Sequence, residues 1–265
     1  MSDKAAAADL ARPADGTQAI RRAAALLRAL AQAGAGGEGG EGASLAALAR
    51  SQGLPRSTAH RMLGALVDEG FIERMPRGPG YRMGPLIHEL GLTSASSLDD
   101  VARWHPVVEA VARQTGVTTY LMRRSGVEAV CLIKADGHAV MRFVPVEVGQ
   151  RRLLGVGAGA TALLAALAPA QLERVLASIA PGLAPYPRLS PQALREAMVL
   201  TRRSGFAISQ GTVVDDGFGM GIAIPDGTAP PRLALSIAAH ATMVTESRIK
   251  ACKAVLAAAV GSPPA

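Results

Sequence analysis

The chain has 265 residues, 49% of them hydrophobic and 18% charged, so it can build a packed core and is not globally disordered. Its formal net charge of +7 favours an anionic partner without identifying one, and the 3% content of aromatic residues disfavours binding modes that stack bases on aromatic side chains. No apolar stretch predicts a transmembrane helix, and the N-terminus does not resemble a secretory signal, so no membrane association is expected.

The N-terminal region predicts two helices after a disordered leader at residues 1–16. The first helix ends at Gly34, and the glycine-rich segment 34–43 is a loop by composition. Ser44 begins a second, short helix, which the glycine and proline at 53–55 break. The apolar stripe of the first helix repeats at helical spacing and consists of Ile20, Ala23, Ala24, Leu27, Leu30 and Ala31.

A third helix, at about Arg56–Asp68, has an apolar inner stripe and a polar, arginine-bearing N-terminal half. Two helices joined by a tight glycine-containing turn form a helix-turn-helix, whose second helix enters the major groove of DNA. Strands at 71–75 and 81–83, with Arg77 in the turn between them, complete a winged helix-turn-helix. The candidate contacts to base edges or phosphates are Arg56, Ser57, Thr58, His60, Arg61 and Arg77.

The rest of the chain predicts a helical linker and an α+β domain. The linker, 85–115, consists of helices that Pro106 is expected to interrupt. Beyond it, strands in pairs with helices grouped between them predict an antiparallel sheet flanked by helices. The expected domains are therefore 17–84, 85–115 and 116–265. The predicted strands are 118–122, 127–134, 139–146, 206–214, 219–224 and 231–237, and the predicted helices are 161–168, 171–179, 191–204 and 242–260.

The glycine-rich segment 155–160 is a candidate ligand site. Its spacing fits a dinucleotide-binding fingerprint, but that site needs a preceding buried strand and a later acidic residue at the end of a strand, and Glu173 lies in a predicted helix. The favoured interpretation is a loop whose backbone N–H groups form an anion site at a helix N-terminus.

No constellation for catalysis or for a metal is complete. The five histidines are scattered, so no metal site and no cofactor is predicted. The pair Asp215-Asp216 is interpreted as turn residues beside Gly217, and the chain is not expected to be an enzyme. Cys131 is expected to be a buried structural thiol. Two cysteines without a disulfide framework fit the cytoplasm as the location.

The order of these segments resembles the IclR family of bacterial transcriptional regulators. The resemblance covers residues 17 to about 256. It rests on AIRRAAALLRAL, SLAALARSQGLPRSTAHRMLGALVDEGFIERM and GYRMGPLIHELG in the N-terminal region, and on ARWHPVVEAVARQTGVTTYLMRR, VGQRRLLGVGAGATALLAAL, RRSGFAISQG, GMGIAIPDG and ALSIAA beyond it. It implies a GAF-like effector-binding domain, a homodimer or homotetramer, and operator DNA as the partner.

The resemblance also implies where a small-molecule effector binds. The matching positions are Ala158, Gly159, Ser209, Gly219, Ser236 and Ala238. Family members commonly carry acidic residues where this chain has Ser209-Gln210, and Gly-Lys where it has Ala160-Thr161. The pocket is therefore expected to be roomier and more apolar, and an aromatic or branched organic acid is the expected effector.

Two function classes follow from the sequence. The first is a ligand-responsive, DNA-binding transcriptional regulator. The alternative is a small-molecule-binding or catalytic α+β domain whose helical N-terminus serves protein contacts. Binding to duplex DNA that weakens steeply with salt separates the first class from the second.

Overall fold

The structure is a computed structural model that describes residues 17–35, 42–93, 95–138, 146–225, 227 and 229–261, with the backbone alone at 35 and 95–99. Three sequence predictions lie wholly or largely outside these residues: the leader at 1–16, most of the glycine-rich loop, and the strand at 139–146. The chain divides into two compact units, with the division between Leu90 and Gly91. None of the described helices is long and apolar enough to cross a membrane.

The N-terminal unit is a helical triplet with a small antiparallel sheet. The helices are α1 (Gln18–Ala35), α2 (Leu45–Ser51) and α3 (Arg56–Asp68), the strands are β1 (Ala43–Ser44), β2 (Ile72–Arg74) and β3 (Gly80–Met83), and α4 (Pro85–Thr93) follows β3. The predicted order of helix, turn, helix and hairpin is present. The structure thus contains the winged helix-turn-helix that the sequence predicts.

Local hydrogen bonds fix the start of α2 and the turn between α2 and α3. The Ser44 hydroxyl accepts a hydrogen bond from the Ala47 N–H at 3.2 Å and caps the N-terminus of α2. After α2, the Leu54 N–H donates to the Ala49 carbonyl at 2.9 Å, and the backbone of Gly53 adopts a φ of 60°. Glycine takes this left-handed conformation without steric cost, so the chain reverses tightly into α3.

The core of this unit forms where the three helices meet the sheet. Ala59 and Leu63 of α3 are fully buried, as the predicted inner stripe requires. The predicted stripe of α1 is wrong at its first position, because Ile20 is 69% exposed while Leu26 is 1% exposed. Ile20 lies in the first turn of α1, where every residue is exposed, and the packing begins further along the helix.

β1 was not predicted, because the sequence assigns Ala43 to a loop. It pairs antiparallel with β3 through Ala43 opposite Tyr81 and Ser44 opposite Gly80, and the sheet order is β1-β3-β2. A strand of two residues carries no alternating pattern of its own. Its partner strand alone defines it.

The C-terminal unit is one antiparallel sheet with helices on both faces, which is the predicted α+β architecture. The strands are β4 (Thr118–Ser125), β5 (Glu128–Ala135), β6 (Arg151–Leu153), β7 (Ala207–Gln210), β8 (Gly217–Ile224) and β9 (Leu233–His240), and the helices are α5 (Ala95–Thr115), α6 (Ala158–Ala165), α7 (Pro169–Ile179), α8 (Pro191–Ser204) and α9 (Glu246–Gly261). The sheet order is β6-β5-β4-β9-β8-β7, and every pair is antiparallel.

Alternation along the strands separates two cores. On β9, Ala234 and Ala238 belong to the core on the α6 face, whereas Leu235 and Ile237 belong to the core beneath α5 and α9. Successive side chains of a strand point to opposite faces, so β9 serves both cores. The α6 face of the sheet contains the cavity described below.

α5 corrects the expectation that Pro106 interrupts the linker helix, because it runs unbroken through that residue. A proline inside a helix removes one backbone hydrogen bond. Here Trp104 and Val108, on either side of the proline, are both buried against the same core, at 2% and 0% exposure. The shared apolar face therefore outweighs the local preference for a break.

Candidate functional site

The predicted DNA-contacting residues lie on one short stretch of α3 and on the turn between β2 and β3. Arg56, Ser57, His60 and Arg61 are exposed, and Thr58 is half-buried. The exposed side chains are available to a groove, while the buried stripe holds α3 on the core.

Arg77 stands at the tip of the hairpin, which we call the wing (residues 72–83). The wing is closed by a hydrogen bond from the Met75 N–H to the Gly80 carbonyl at 2.9 Å, and Arg77 is exposed. The other two arginines of the wing have protein partners. Arg82 pairs with Glu73, and the Arg74 guanidinium lies 5.5 Å from the centre of the Tyr81 ring.

The guanidinium groups of Arg56, Arg61 and Arg77 have no carboxylate partner within the described ranges. Unpaired arginines can bind phosphate or the major-groove edge of guanine without first breaking an ion pair. These three side chains are therefore available to DNA.

The second candidate site is a cavity of about 60 Å³ in the C-terminal unit. At roughly 10–15 Å³ for each ordered water, it has room for about four to six waters or for part of a small organic molecule. Apolar side chains dominate its lining. Its lining residues are Tyr120, Met122, Val146, Arg152, Val156, Gly157, Ala158, Gly159, Ala160, Ser209, Val213, Val214, Gly217, Phe218, Gly219, Ser236, Ile237 and Ala238.

All six residues that the resemblance implies for the effector line this one cavity. The strand register brings four of them together, because Ser209 lies opposite Gly219, and Gly219 opposite Ala238, on neighbouring strands. Ser236 is two residues from Ala238 on the same face of β9. The remaining two, Ala158 and Gly159, are the first residues of α6.

The glycine-rich segment folds as a loop that aims the start of α6 at the cavity. Gly157 has a φ of 87° and precedes the helix, which begins at Ala158, three residues before the predicted start. The Thr161 N–H donates to the Gly157 carbonyl, and its hydroxyl donates to the Gly155 carbonyl at 3.1 Å. The N–H groups of the first turn have no acceptor within the helix, and together with the helix dipole they favour a bound anion.

α6 approaches the sheet closely because both the helix and the sheet have a glycine at the contact. A Cβ atom on Gly159 would lie 2.8 Å from the Ser236 Oγ, and one on Gly221 of β8 would lie 2.7 Å from the Ala158 carbonyl oxygen. Both distances are below normal contact, so no larger residue fits without movement. The dinucleotide interpretation finds no support, since β6, which precedes the loop, is short and only half-buried.

The Ser209 hydroxyl already has a protein partner. Its Oγ lies 2.6 Å from the Thr212 Oγ1, and either oxygen can be the donor. When Thr212 donates, the proton of Ser209 is free to bond an acceptor in the cavity. Ser209 thus offers one hydrogen bond to a ligand.

Tyr120 is a cavity residue that the sequence reasoning missed. It is 2% exposed, and its hydroxyl has no hydrogen-bond partner among the described residues. Burial raises the pKa of this hydroxyl far above its usual range, so it stays protonated and can donate. The pairing of β4 with β9 sets Tyr120 directly opposite Ser236 and so indicates its place in the cavity. That pairing joins segments more than a hundred residues apart, so the sequence alone does not reveal it.

Arg152 is the second residue missed. It lies on β6 beside Arg151, whose guanidinium bonds the Glu128 carboxylate at 2.8 Å. Because adjacent side chains on a strand point to opposite faces, Arg152 is turned toward the cavity that it lines. It brings a positive charge to an otherwise uncharged lining.

The remaining chemical candidates do not form a site in the described part of the chain. No group of three potential metal ligands occurs there. Cys131 and Cys252 are free, buried thiols, and burial raises the pKa of Cys131 to about 12, so it is unreactive as a nucleophile. Asp215 belongs to a surface turn closed by the Gly217 N–H and the Val214 carbonyl, as predicted.

Comparison with known families assigns both units. The model of the IclR helix-turn-helix domain matches residues 19–76, and that of the C-terminal domain of the bacterial transcriptional regulator IclR matches residues 92–263. An HTH-type transcriptional regulator of Mycobacterium tuberculosis is 35% identical over 193 residues, which are 72% of this chain and 71% of the relative. Such relatives are named as regulators, in agreement with a chain that is not an enzyme.

Solved structures share the fold. The crystal structure of an IclR transcriptional regulator from Alicyclobacillus acidocaldarius has a TM-score of 0.71 at 21% identity, and the match covers 91% of this chain and 95% of that one. An IclR homologue from Microbacterium hydrocarbonoxydans, crystallised with 4-hydroxybenzoate, has a TM-score of 0.69 at 21% identity and covers 92% and 98%.

Proposed function

The chain belongs to the IclR family of bacterial transcriptional regulators, and from that premise we propose that a small organic acid controls its binding to operator DNA. It is a transcriptional regulator with a helix-turn-helix DNA-binding domain and a C-terminal effector domain. The observation that carries the proposal is the cavity into which the N-terminus of α6 opens.

We propose that α3 enters the major groove and that the wing contacts the adjacent backbone. Arg61 and His60, on the exposed face of α3, reach base edges, and Arg56, Ser57 and Thr58 at its start bind phosphates. Arg77 neutralises a phosphate or enters the minor groove beside α3. The exposure of all of these side chains except the half-buried Thr58, and the unpaired state of the three guanidinium groups, support their contact with DNA.

The proposed effector is an aromatic or branched organic acid. Its carboxylate accepts hydrogen bonds from the N–H groups of Ala158 and Gly159 and from the hydroxyls of Ser209 and Ser236, and its apolar body lies against Gly219, Ala238 and the aliphatic lining. The 4-hydroxybenzoate bound by the homologue from Microbacterium hydrocarbonoxydans is an aromatic acid of this kind.

We further propose that the regulator acts in the cytoplasm as a homodimer or homotetramer. A symmetric dimer places two recognition helices in successive major grooves, with half-sites about 34 Å apart or at a multiple of that distance. α4 and α5, which lie between the wing and β4 in sequence, transmit the effect of effector binding to the spacing of the two recognition helices. An effector regulates only if it binds better to the protein in one spacing of its recognition helices than in the other.

The test selects an operator and then measures whether organic acids change the affinity of the chain for it. The full chain is used to select duplexes from a random library, and its affinity for them is measured by fluorescence anisotropy with benzoate, 4-hydroxybenzoate and isovalerate. At least one acid should change the operator affinity and raise the melting temperature, whereas the uncharged benzamide should do neither. If no acid affects either quantity while DNA is bound, the effector assignment fails and the DNA-binding assignment stands.

A further inference from the structure

We propose that Tyr120 selects the effector, by donating its hydroxyl hydrogen to an oxygen of the acid that does not belong to the bound carboxylate. The effector is then a bifunctional acid, with a carboxylate and a further hydroxyl, carbonyl or carboxyl oxygen. This inference rests on the proposed function, because it assumes that the cavity binds an organic acid.

The hydroxyl of Tyr120 is a buried donor without an acceptor. Its side chain is 98% removed from solvent, and no described residue accepts its hydrogen. Buried polar groups in proteins almost always have a partner, so an unpaired hydroxyl that lines a cavity points to a molecule that enters the cavity. The cavity is also large enough for waters to take this place when no effector is bound.

The donors proposed for the carboxylate leave the Tyr120 hydroxyl for another acceptor. The N–H groups of Ala158 and Gly159 and the hydroxyls of Ser209 and Ser236 are four donors, which match the about four lone-pair positions of a carboxylate. Tyr120 lies opposite Ser236 on the neighbouring strand β4 and lines the same cavity. Its hydrogen therefore needs a second oxygen of the ligand.

The cavity therefore offers a ligand more donors than a carboxylate needs. Besides the α6 N-terminus, Ser209 and Ser236, its lining includes Tyr120 and Arg152, among apolar residues such as Met122 and Val156. A simple monocarboxylic acid leaves the Tyr120 hydroxyl without an acceptor, whereas a bifunctional acid provides one.

The test uses pairs of acids that differ by one oxygen: benzoate with 4-hydroxybenzoate, and phenylacetate with 4-hydroxyphenylacetate. Their affinities for the full chain and for Tyr120→Phe are measured by calorimetry. The wild type should bind a hydroxylated acid about ten-fold more tightly than its parent, and Tyr120→Phe should lose that preference while it binds the parent acids within about two-fold of wild type. Tyr186 is a half-buried tyrosine outside the cavity lining, so Tyr186→Phe is the matched control and should keep the preference for the hydroxylated acid.

The unliganded variant gives an independent readout. Because the Tyr120 hydroxyl has no protein acceptor, Tyr120→Phe should melt at the wild-type temperature or above it. A fall of several degrees would show that the hydroxyl bonds within the protein and would overturn the inference. If Tyr120→Phe loses affinity equally for both acids of a pair, or for neither, the inference is also overturned and the proposed function stays intact. If the wild type binds none of these acids, the organic-acid part of the proposed function falls together with it.

Discussion

Gly159 decides at the residue scale how closely α6 can approach the sheet. It is the second residue of the helix, and its position sets the Ser236 hydroxyl and the N–H groups of the first turn side by side in the cavity. The absence of a side chain here is therefore a property of the effector site as well as of the packing.

Gly159→Ala should lower the free energy of unfolding of the C-terminal unit by about 1–3 kcal/mol. The new Cβ would lie 2.8 Å from both the Met122 Cγ and the Ser236 Oγ, so that neighbouring atoms must move. Acid binding should weaken too, because Ser236 moves within the cavity. Thermal unfolding with and without 4-hydroxybenzoate measures both effects.

Gly64→Ala is the matched control for this substitution. Gly64 lies within α3, and no heavy atom comes within 4 Å of an added Cβ apart from the neighbouring helix backbone. Alanine should stabilise the helix by about 0.5–1 kcal/mol at this position. A change of the same sign in both variants would contradict the close packing at Gly159.

The sequence predicted some of the cavity residues and not others. The glycine-rich loop and the serines were accessible through the family resemblance, because they lie in short segments with recognisable spacing. Tyr120 and Arg152 were not, since their place in the cavity depends on which strands become neighbours in the sheet. A buried tyrosine in an apolar strand is ordinary in a sequence, and only the unpaired hydroxyl distinguishes it.

At the scale of elements, local signals located the helices that have caps. Ser190 caps α8, whose predicted bounds are the observed ones, and Ser44 caps α2. Long-range packing decided α5 and β1. α5 continues through Pro106 because both sides of the proline face one core, and β1 exists only because β3 pairs with it.

Ser44→Ala should cost the DNA-binding domain about 1 kcal/mol of stability. The substitution removes the hydroxyl that accepts from the Ala47 N–H at 3.2 Å and leaves that donor to water. Ser44→Asp keeps an acceptor at the cap and should melt close to the wild type. Differential scanning calorimetry follows the change, and equal melting of all three proteins would show that the cap does not stabilise α2.

The two ends of α6 have different surroundings. Its N-terminus opens into the cavity, whereas Arg202 from α8 donates to the Ala165 and Leu167 carbonyls at 2.9 and 2.8 Å near its C-terminus. A cation at the negative end of a helix is favourable, and here it satisfies carbonyls that the helix leaves without donors. This arrangement leaves the positive end of α6 as the one available to a ligand.

At the scale of the whole molecule, net charge does not locate DNA binding. Residues 17–84 hold nine basic and five acidic residues, a surplus of four, and residues 98–265 hold seventeen and twelve, a surplus of five. In the C-terminal unit several of these cations have structural partners, as Arg195 with Glu173, Lys134 with Glu147, and Arg202 with carbonyls. The arginines of α3 and Arg77 are likewise only part of the surplus of their own unit, and they are exposed and unpaired within the described chain.

Duplex binding by the wild-type chain and by its Arg61→Ala and Arg77→Ala variants tests most directly the assignment of α3 and the wing to DNA. Fluorescence anisotropy on a selected operator and on a shuffled duplex, over a range of salt concentrations, measures affinity and preference together. Arg174→Ala, an exposed arginine on α7 of the effector domain, controls for the loss of one charge. The wild type should prefer the operator, and the logarithm of its affinity should fall linearly with the logarithm of salt concentration.

Arg61→Ala should lose most of the preference while it still binds duplex DNA. Arg77→Ala should weaken both duplexes by a similar factor and reduce the salt slope by about one, as expected for one lost phosphate contact. Absence of duplex binding at low salt, or an Arg61→Ala variant with full preference and an Arg77→Ala variant with wild-type affinity, would contradict the assignment of α3 and the wing to DNA.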